Sequence, residues 1–433
     1  MNIKFFLAFI LVLSFISSYG FTEEWTIDQT VNTALTVSNM VAVEQFEADE
    51  ANLDAISAEK GWFPRVSFSA DANYVSEVMK IKMPLKKIRF GDYDSYNINL
   101  SFNQLLYDGG RLKALKEVND NRSMMSLYNA EAVGLAVELQ AKTAFYRVVM
   151  TESAYKAAEQ SLIEAENHYS DVQAFYSQGM ALENDVLRAK LRNANAEMEL
   201  VSRKADLEKS KAEFRKVTGL APDEEVTVKW DEDTIKKIDM TDFEKAFESR
   251  PEFKAFDAAI AVSEKTVKAA RADVLPNVGL FGGFYYGKPG LDMPANRWMH
   301  YFASGVLLNW NVWDWGKTKR EIEKAYINRK KILKNRDDFN LLVSREISEA
   351  FINYEEAVKR EKLASEAAEF AQKQLELTHS AYREGMATEI DYDNAHTAFT
   401  KATFEKSISK AARLLCASNI EYVLGIRYSG GKK

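Results

Sequence analysis

The sequence predicts a mainly helical chain made of two copies of one unit, with a membrane β-barrel portion carried on a few short strands. Three observations lead there. A block of sequence recurs 206 residues further on, two long proline-free stretches read as very long helices, and short segments between helices alternate apolar with polar residues. Composition fits such a chain: of 433 residues 46% are apolar, and 57 Lys+Arg against 64 Asp+Glu give a formal charge of -7. The apolar share excludes a disordered chain, and one Cys excludes a disulfide scaffold or a multi-Cys metal centre. Net negative charge without a basic cluster excludes nucleic acid as a partner.

Residues 1–20 read MNIKFFLAFILVLSFISSYG, with Lys4 ahead of an apolar run from Phe5 to Ile16 and Ser18-Tyr19-Gly20 as a small-x-small site. A secretory signal peptide is expected here, cut after Gly20, because the run is short for the roughly 20 residues of a membrane span. The sole cysteine, Cys416, is remote from that site, so the leader supplies no lipid anchor. Beyond residue 20 no stretch suits a transmembrane helix, which leaves a soluble chain outside the cytoplasm or one that spans with strands.

The repeat organises the rest. Tyr176–Ala189 (YSQGMALENDVLRA) matches Tyr382–Ala395 (YREGMATEIDYDNA), Tyr107–Arg111 (YDGGR) matches Trp313–Lys317 (WDWGK), and Val217–Leu220 matches Val423–Ile426. Nearer each start the offset is 212, as Trp62-Phe63-Pro64 against Val274-Leu275-Pro276 and Ala34-Leu35 against Ala246-Phe247 show, so one hairpin is six residues longer in the first copy. The first repeat, 21–220, is expected to hold a helix at 27–61, a strand pair at 65–77 and 95–106, a long helix at 111–177 and a return helix at 182–219. A linker at 221–240 leads to the second repeat, 241–426, with a helix at 242–273, strands at 277–287 and 300–312, helices at 317–383 and 388–424, and a tail at 427–433.

Each element has a local reason. Prolines at 64, 84, 222, 251, 276, 289 and 294 leave 85–221 and 295–433 free of them. In the first of these stretches Val118, Met125, Tyr128, Ala132, Leu135, Leu139, Tyr146 and Val149 form a coiled-coil seam spaced by threes and fours, interrupted at Asn121 and Lys142. The two longest helices would each reach about 100 Å at 1.5 Å per residue. Val66, Phe68, Ala70, Ala72 and Tyr74 alternate with Ser67, Ser69, Asp71 and Asn73, and Tyr96, Ile98, Leu100 and Phe102 alternate with Asn97, Asn99, Ser101 and Asn103. The second repeat alternates less cleanly at Val278–Tyr286 and Phe302–Val312. Such lengths suit tilted membrane strands joined by loops at 78–94 and 288–299. Four strands cannot close a barrel, and an open edge in lipid strands its backbone groups, so spanning requires oligomerisation. Two copies give eight strands around a filled interior, and three give twelve around a lumen. The other reading is an elongated periplasmic coiled-coil structural or adaptor protein whose alternating segments form a small soluble sandwich.

The leader, the duplicated order of elements, Leu275-Pro276 before a strand, the D-G-G-R and W-G-K corners, and the Y-x-x-G-x-x-x-x-x-D turns at Tyr176 and Tyr382 resemble the TolC family of outer-membrane efflux proteins over essentially all of 25–426. That resemblance implies a homotrimer in outer-membrane lipid, with a 12-strand barrel continued by a 12-helix coiled-coil periplasmic tunnel. It implies a passive conduit with no cofactor, docked on a periplasmic adaptor (membrane fusion protein) and an inner-membrane transporter of RND, ABC or MFS type, serving efflux or type I secretion.

The residues themselves place helix hairpins at both turns, with Gly179 and Gly385 ending one helix and Thr388 or Asn184-Asp185 starting the next. The resemblance puts these turns at the periplasmic tip, with Asp391 and Asn394 at a pore constriction and Asp185 and Arg188 at the matching positions of the first repeat. Three copies of Asp391 would form a cation-favouring ring; the plainer reading is that Asp391 caps its helix. Tyr382, Gly385, Met386, Ala387 and Thr388, with Tyr176, Gly179, Met180, Ala181 and Leu182, are the candidate tip gate and adaptor contact. Two positions depart from the family: Ala387 stands where an Arg pairs with the equivalent of Tyr382, and Asn394 replaces a second acidic residue found in some members. No enzyme motif is present: His168, His300, His379 and His396 lack metal-ligand spacing, Gly109-Gly110 is a corner and not a phosphate loop, and there is no G-x-S-x-G.

Overall fold

The structure, a computed structural model, describes residues 24–82, 87–90, 92–230, 246–291 and 297–426. The expected signal peptide, the linker beyond residue 230, the start of the expected 242–273 helix, the tail, and parts of both strand-joining loops lie outside the described residues. Chain order runs α1 (Ile27–Val37), α2 (Asn39–Glu59), a 3₁₀ turn (Lys60–Trp62), β1 (Arg65–Tyr74), β2 (Met79–Lys82), β3 (Lys87–Phe90), β4 (Asp94–Tyr107), α3 (Arg111–Ser177) and α4 (Glu183–Thr218). It continues as α5 (Ala246–Ser249), α6 (Pro251–Ala272), β5 (Asn277–Lys288), β6 (Met299–Asn309), α7 (Lys317–Arg383) and α8 (Glu389–Val423). Two compact units divide these elements: one of Glu44–Ala130 with Glu252–Phe339, and one of Glu131–Pro251 with the segments up to Val43 and from Asn340 onward.

The sheet unit holds one antiparallel sheet in the order β1-β4-β5-β6. Its register lines Phe68 up with Leu100, Phe284 and Phe302, so one face carries a row of large apolar side chains across all four strands. That face is bare in the chain, with Phe68 69% and Phe302 64% exposed. On the other face Asn97 and Asn73 donate to Asp71 at 3.0 and 2.7 Å, and the Ser67 and Ser101 hydroxyls lie 3.3 Å apart. β1 and β6 are the two edges, each paired on one side only. The strands depart from expectation in detail. The 78–94 connection holds a second hairpin, with Met79 paired to Phe90 and Lys82 to Lys87, because M-K-I-K and K-I-R-F have strand period as well. β6 stops at Asn309, short of the expected 312, where the Trp310 indole instead donates to Val274 O at 3.0 Å.

The corners that lead from sheet to long helix are the same device twice. Asp108 accepts the N–H groups of Gly110 (3.0 Å) and Leu112 (2.6 Å), and Asp314 accepts that of Thr318 (2.8 Å).

In the helical unit the expected 27–61 helix is two helices, parted at Ser38, whose ψ of 114° is extended. Ser38 Oγ accepts the N–H of Val41 at 3.4 Å and so starts α2. The expected 242–273 helix is likewise parted at Arg250, with Pro251 opening α6 at the one helical position where its missing N–H costs nothing. Ser38 and Arg250 are equivalent at the 212-residue offset, so the break belongs to the repeat. Its cause is the return helix of each copy. Gly219 and Gly425, both left-handed at φ 72° and 68°, sit against these breaks so closely that a Cβ on the first would overlap Val37, and one on the second would lie 2.8 Å from Arg250 Cα. Around them Phe145, Val148, Val149, Phe214 and Val226 are buried together, with the Trp25 ring edge-on to Phe214 at 5.6 Å. Burying one such aromatic side chain contributes about 2–3 kcal/mol.

Candidate functional site

Both tip turns fold by one mechanism. Gly179 and Gly385 take φ of 75° and 70°, and each closes its helix with a pair of reversed bonds. Gly179 N donates to Tyr176 O (3.0 Å) and Met180 N to Phe175 O (2.9 Å); Gly385 N donates to Tyr382 O (3.0 Å) and Met386 N to Ala381 O (2.8 Å). This is the Schellman closure, which uses left-handed backbone that only glycine adopts without strain. The next helix is capped in both repeats. The Thr388 hydroxyl accepts the N–H of Asp391 (3.2 Å), while Asp391 Oδ2 accepts the Thr388 N–H (2.9 Å) and hydroxyl (2.6 Å). In the first copy Asp185 accepts the N–H of Leu182 (3.0 Å), and Leu182 has no side-chain oxygen to reciprocate.

The candidate pore residues follow from that geometry. Asp391 is a cap and is also exposed, so its carboxylate is available to solvent while one oxygen serves Thr388. Its hydrogen bonds from the Thr388 side chain and backbone hold its carboxyl below the ordinary range. Asn394 is exposed, and Asp185 and Arg188 are half-buried. At the turns themselves Met180, Leu182 and Met386 are 64%, 72% and 72% exposed, a small apolar surface beside half-buried Ala181 and Ala387. Tyr176 is exposed, whereas its repeat counterpart Tyr382 is half-buried.

Tyr382 is drawn into a cluster that the sequence reading missed. Glu389, from the first turn of α8, is buried with its Oε1 2.8 Å from His168 Nε2 of α3 and 3.7 Å from Arg192 of α4. Arg192 also contacts Asp393, and its guanidinium lies over the Tyr392 ring at 5.0 Å. His168 stacks on Tyr392 with centroids 4.0 Å apart, and the rings of His379 and His396 stand 5.6 and 6.2 Å from it. His396 Nε2 is 3.5 Å from Glu164. Burial pushes the Tyr392 hydroxyl up to about 12, and burial with the Glu389 carboxylate raises that of Tyr382. Burial also lowers His379, reinforced by Arg383, and lowers Arg192. One signal was in the sequence: Glu389, Tyr392 and His396 follow i, i+3, i+7 spacing, which puts three polar or amphipathic residues on one helix face. Among the described residues no group of three or more His, Cys, Asp or Glu is placed to hold a metal ion.

No helix of the structure, among the described residues, is long and apolar enough to cross a membrane. The profile of the outer membrane efflux protein family matches residues 30–220 and 243–420. No curated protein sequence matches the chain. Among solved structures, the outer-membrane channel OprN is similar at TM-score 0.80 with 18% identity, over 92% of this chain and 89% of that one. CusC, described through its folding and transmembrane channel formation, is similar at TM-score 0.82 with 13% identity over 96% of each chain. The outer membrane protein VceC of Vibrio cholerae is similar at 0.80 with 16% identity, over 93% of this chain and 97% of that one. The family match sets aside the reading of a periplasmic coiled-coil adaptor or structural protein. The chain belongs to the outer membrane efflux protein family, as an outer-membrane export channel that is a passive conduit and not an enzyme.

Proposed function

We propose that three copies of the chain close their sheets into a twelve-strand barrel, continue it as a helical tunnel, and serve as the outer component of a tripartite efflux or type I secretion assembly. The observation that carries this reading is the four-stranded sheet with two one-sided edges and a bare apolar face. In hydrocarbon the edge N–H and C=O groups need partners, which β6 of one copy and β1 of the next supply in a head-to-tail contact that closes as a ring. Three copies leave room for a lumen lined by the Asp71, Asn97 and Ser101 face, and two do not.

The helical unit supports the same ring. On α4 Leu187, Leu191, Met198 and Val201 are each more than half exposed at spacings of 4, 7 and 3, which is a coiled-coil seam left uncovered by the described residues of its own chain. On α7 and α8 an open groove of about 820 Å³, lined by Ile352, Leu363, Ala364 and Ala402 among others, offers the apolar bed such a seam fits. We assign its occupant as the second copy. The apolar turns at Met180–Leu182 and Met386–Thr388 then form the tip that meets a periplasmic adaptor, with an RND, ABC or MFS transporter behind it, and Asp391 lines the entrance beside Asn394, with Asp185 and Arg188 as the first-repeat pair.

Bilayer recordings of the purified particle test this directly. The expected result is a cation-selective pore whose selectivity falls in Asp391→Asn. A particle that inserts without conducting would refute the channel, and unchanged selectivity would return Asp391 to capping alone.

A further inference from the structure

The longer strand connection of the first repeat forms a second hairpin, and its sequence sorts charge by face. β2 and β3 make a two-stranded sheet of their own, unpaired with the four-stranded sheet among the described residues. The register sets Lys80 opposite Arg89 and Lys82 opposite Lys87, while Met79 stands opposite Phe90 and Ile81 opposite Ile88. Successive positions of a strand alternate between faces, so four cationic positions share one face of the ribbon and four apolar positions the other. From Met79 to Phe90 the sequence holds five Lys or Arg and no Asp or Glu. Asp92 and Asp94, just beyond it, are engaged by Lys288 at 3.6 and 3.4 Å. The matching connection of the second repeat holds Lys288 and Arg297 with Asp292 between them, so the basic ribbon belongs to one repeat only.

The hairpin leaves the sheet at the end away from the long helices. β1 ends at Tyr74, paired with Asp94 at the start of β4, and the opposite ends of these two strands lead to α2 and α3. Stacked rings mark the hairpin end: Tyr74 on Tyr93 at 6.3 Å, and Trp298 with Tyr96 at 5.8 Å and Tyr286 at 5.0 Å. Trp62, Trp310 and Trp313 are exposed at the helix end. The 10 residues of β1 thus separate two aromatic belts, which is the spacing of the two headgroup levels along a tilted membrane strand. β2 begins just beyond the outer belt. A lone two-stranded ribbon is marginal in water, and like charges set opposite each other weaken it further. Both costs fall against a surface that offers anions to one face and hydrocarbon to the other.

We propose that the β2–β3 hairpin docks on the outer leaflet of the membrane that the sheet spans, with its cationic face on the phosphate groups of lipid headgroups and its apolar face toward the acyl chains. This rests on the reading of the sheet as a membrane span with the helices on the periplasmic side. Charge selects the ligand class, because ammonium and guanidinium groups hold phosphate through charge-assisted hydrogen bonds. The apolar face selects lipid over a free anion, since inorganic phosphate gains nothing from Met79, Ile81, Ile88 and Phe90. Docked in this way, the hairpin sets the depth of the strands in the bilayer and holds phosphorylated lipid at the channel mouth.

The test is binding of diphosphoryl lipid A to the detergent-solubilised particle. One basic residue near an anionic lipid surface is worth about fivefold in binding. A quadruple variant, Lys80→Gln, Lys82→Gln, Lys87→Gln and Arg89→Gln, is therefore expected to bind at least tenfold more weakly than wild type. A control that removes the same charge from four exposed lysines of α7, Lys317→Gln, Lys319→Gln, Lys330→Gln and Lys331→Gln, is expected to change binding less than twofold. Dephosphorylated lipid A should bind the wild-type particle as weakly as the intact lipid binds the quadruple variant. No binding by wild type, or equal binding by the quadruple variant, would overturn the proposal. An equal loss in the α7 control would do so too, by making the effect one of net charge. Displacement of the lipid by inorganic phosphate would make the ribbon a free-anion site and overturn lipid docking. Should the quadruple variant fail to assemble, trypsin cleavage after Lys82 and Lys87 of the wild-type particle decides. Cleavage is expected to be at least fivefold slower in vesicles containing lipid A than in phosphatidylcholine vesicles, and equal rates would overturn the proposal. A particle that enters neither vesicle would sink the reading of the sheet as a membrane span, while the titration in detergent still reports on the hairpin.

Discussion

Lys142 offers the sharpest test of how the helical unit is held. It interrupts the apolar seam of α3, and the structure buries it to 2% exposure between two carboxylates, Glu138 Oε1 and Glu421 Oε2, each 2.7 Å from its Nζ. Glu421 belongs to α8, so the ammonium ties the first long helix to the last helix of the second repeat. Lys142→Met keeps the volume and removes the charge. Removing one partner from a buried ion pair costs about 3–5 kcal/mol, because the carboxylates left behind are uncompensated. Glu421 is 32% exposed and recovers some hydration, which sets the expectation at the low end, about 3 kcal/mol. Amide exchange over 138–146 reads this as local opening, and that cost corresponds to roughly a hundredfold faster exchange. A triple variant, Lys142→Met with Glu138→Gln and Glu421→Gln, is expected to regain most of the loss, since an uncharged interior needs no counter-ion. Less than a threefold change in the single variant, or a triple variant no better than the single, would refute the reasoning.

Other expectations follow from the turns and caps. Gly385→Ala meets no atom within 4 Å, so its cost is purely that of left-handed backbone, about 1–2 kcal/mol, seen as fraying of the turn by exchange; no change would mean the turn is not held at that φ. Gly219→Ala should cost more, because its Cβ also overlaps Val37, and comparing the two variants by thermal unfolding separates strain from crowding. The stabilisation from the Asp391 cap should be independent of pH from neutrality down to the ordinary carboxylate value and be lost as pH falls from there through its lowered pKa, because a depressed carboxyl gives its full stabilisation only above the unfolded value. Exchange at Asp391 and Tyr392 against pH checks this, and loosening near pH 6 would contradict it. Met386→Glu and Ala387→Glu should abolish capture of a periplasmic adaptor without altering assembly, read by pull-down against a trimer control; undiminished capture would move the docking surface elsewhere.

Much of the fold was legible because the chain states it twice. The paired aspartates at the corners, the paired glycines at the tips and the period-two segments each have a local chemical signal, and the offset between copies locates them together. What escaped reading depended on contacts across sequence. Nothing near Ser38 marks a break as strong as the one that Gly219 enforces from 181 residues away. Pro251 was a visible signal for the second break, since proline opens helices more readily than it continues them. At the tip, the family resemblance singled out Asp391, which caps an exposed turn, while Glu389 two residues earlier takes the buried position. Local sequence cannot show that, because the burial of Glu389 is made by His168 and Arg192 on the other hairpin. Ala387 brings no charge to the turn, and the charged contact in this chain lies at Glu389 instead.

The central claim is that four strands per chain are completed by two further copies. The mass of the particle extracted from the outer membrane in mild detergent, by light scattering corrected for bound detergent, tests it most directly. The account predicts three times the mass of one mature chain, with the species dependent on detergent for solubility. A monomer or dimer recovered without detergent would contradict it, because one or two copies leave the sheet edges open or the lumen filled.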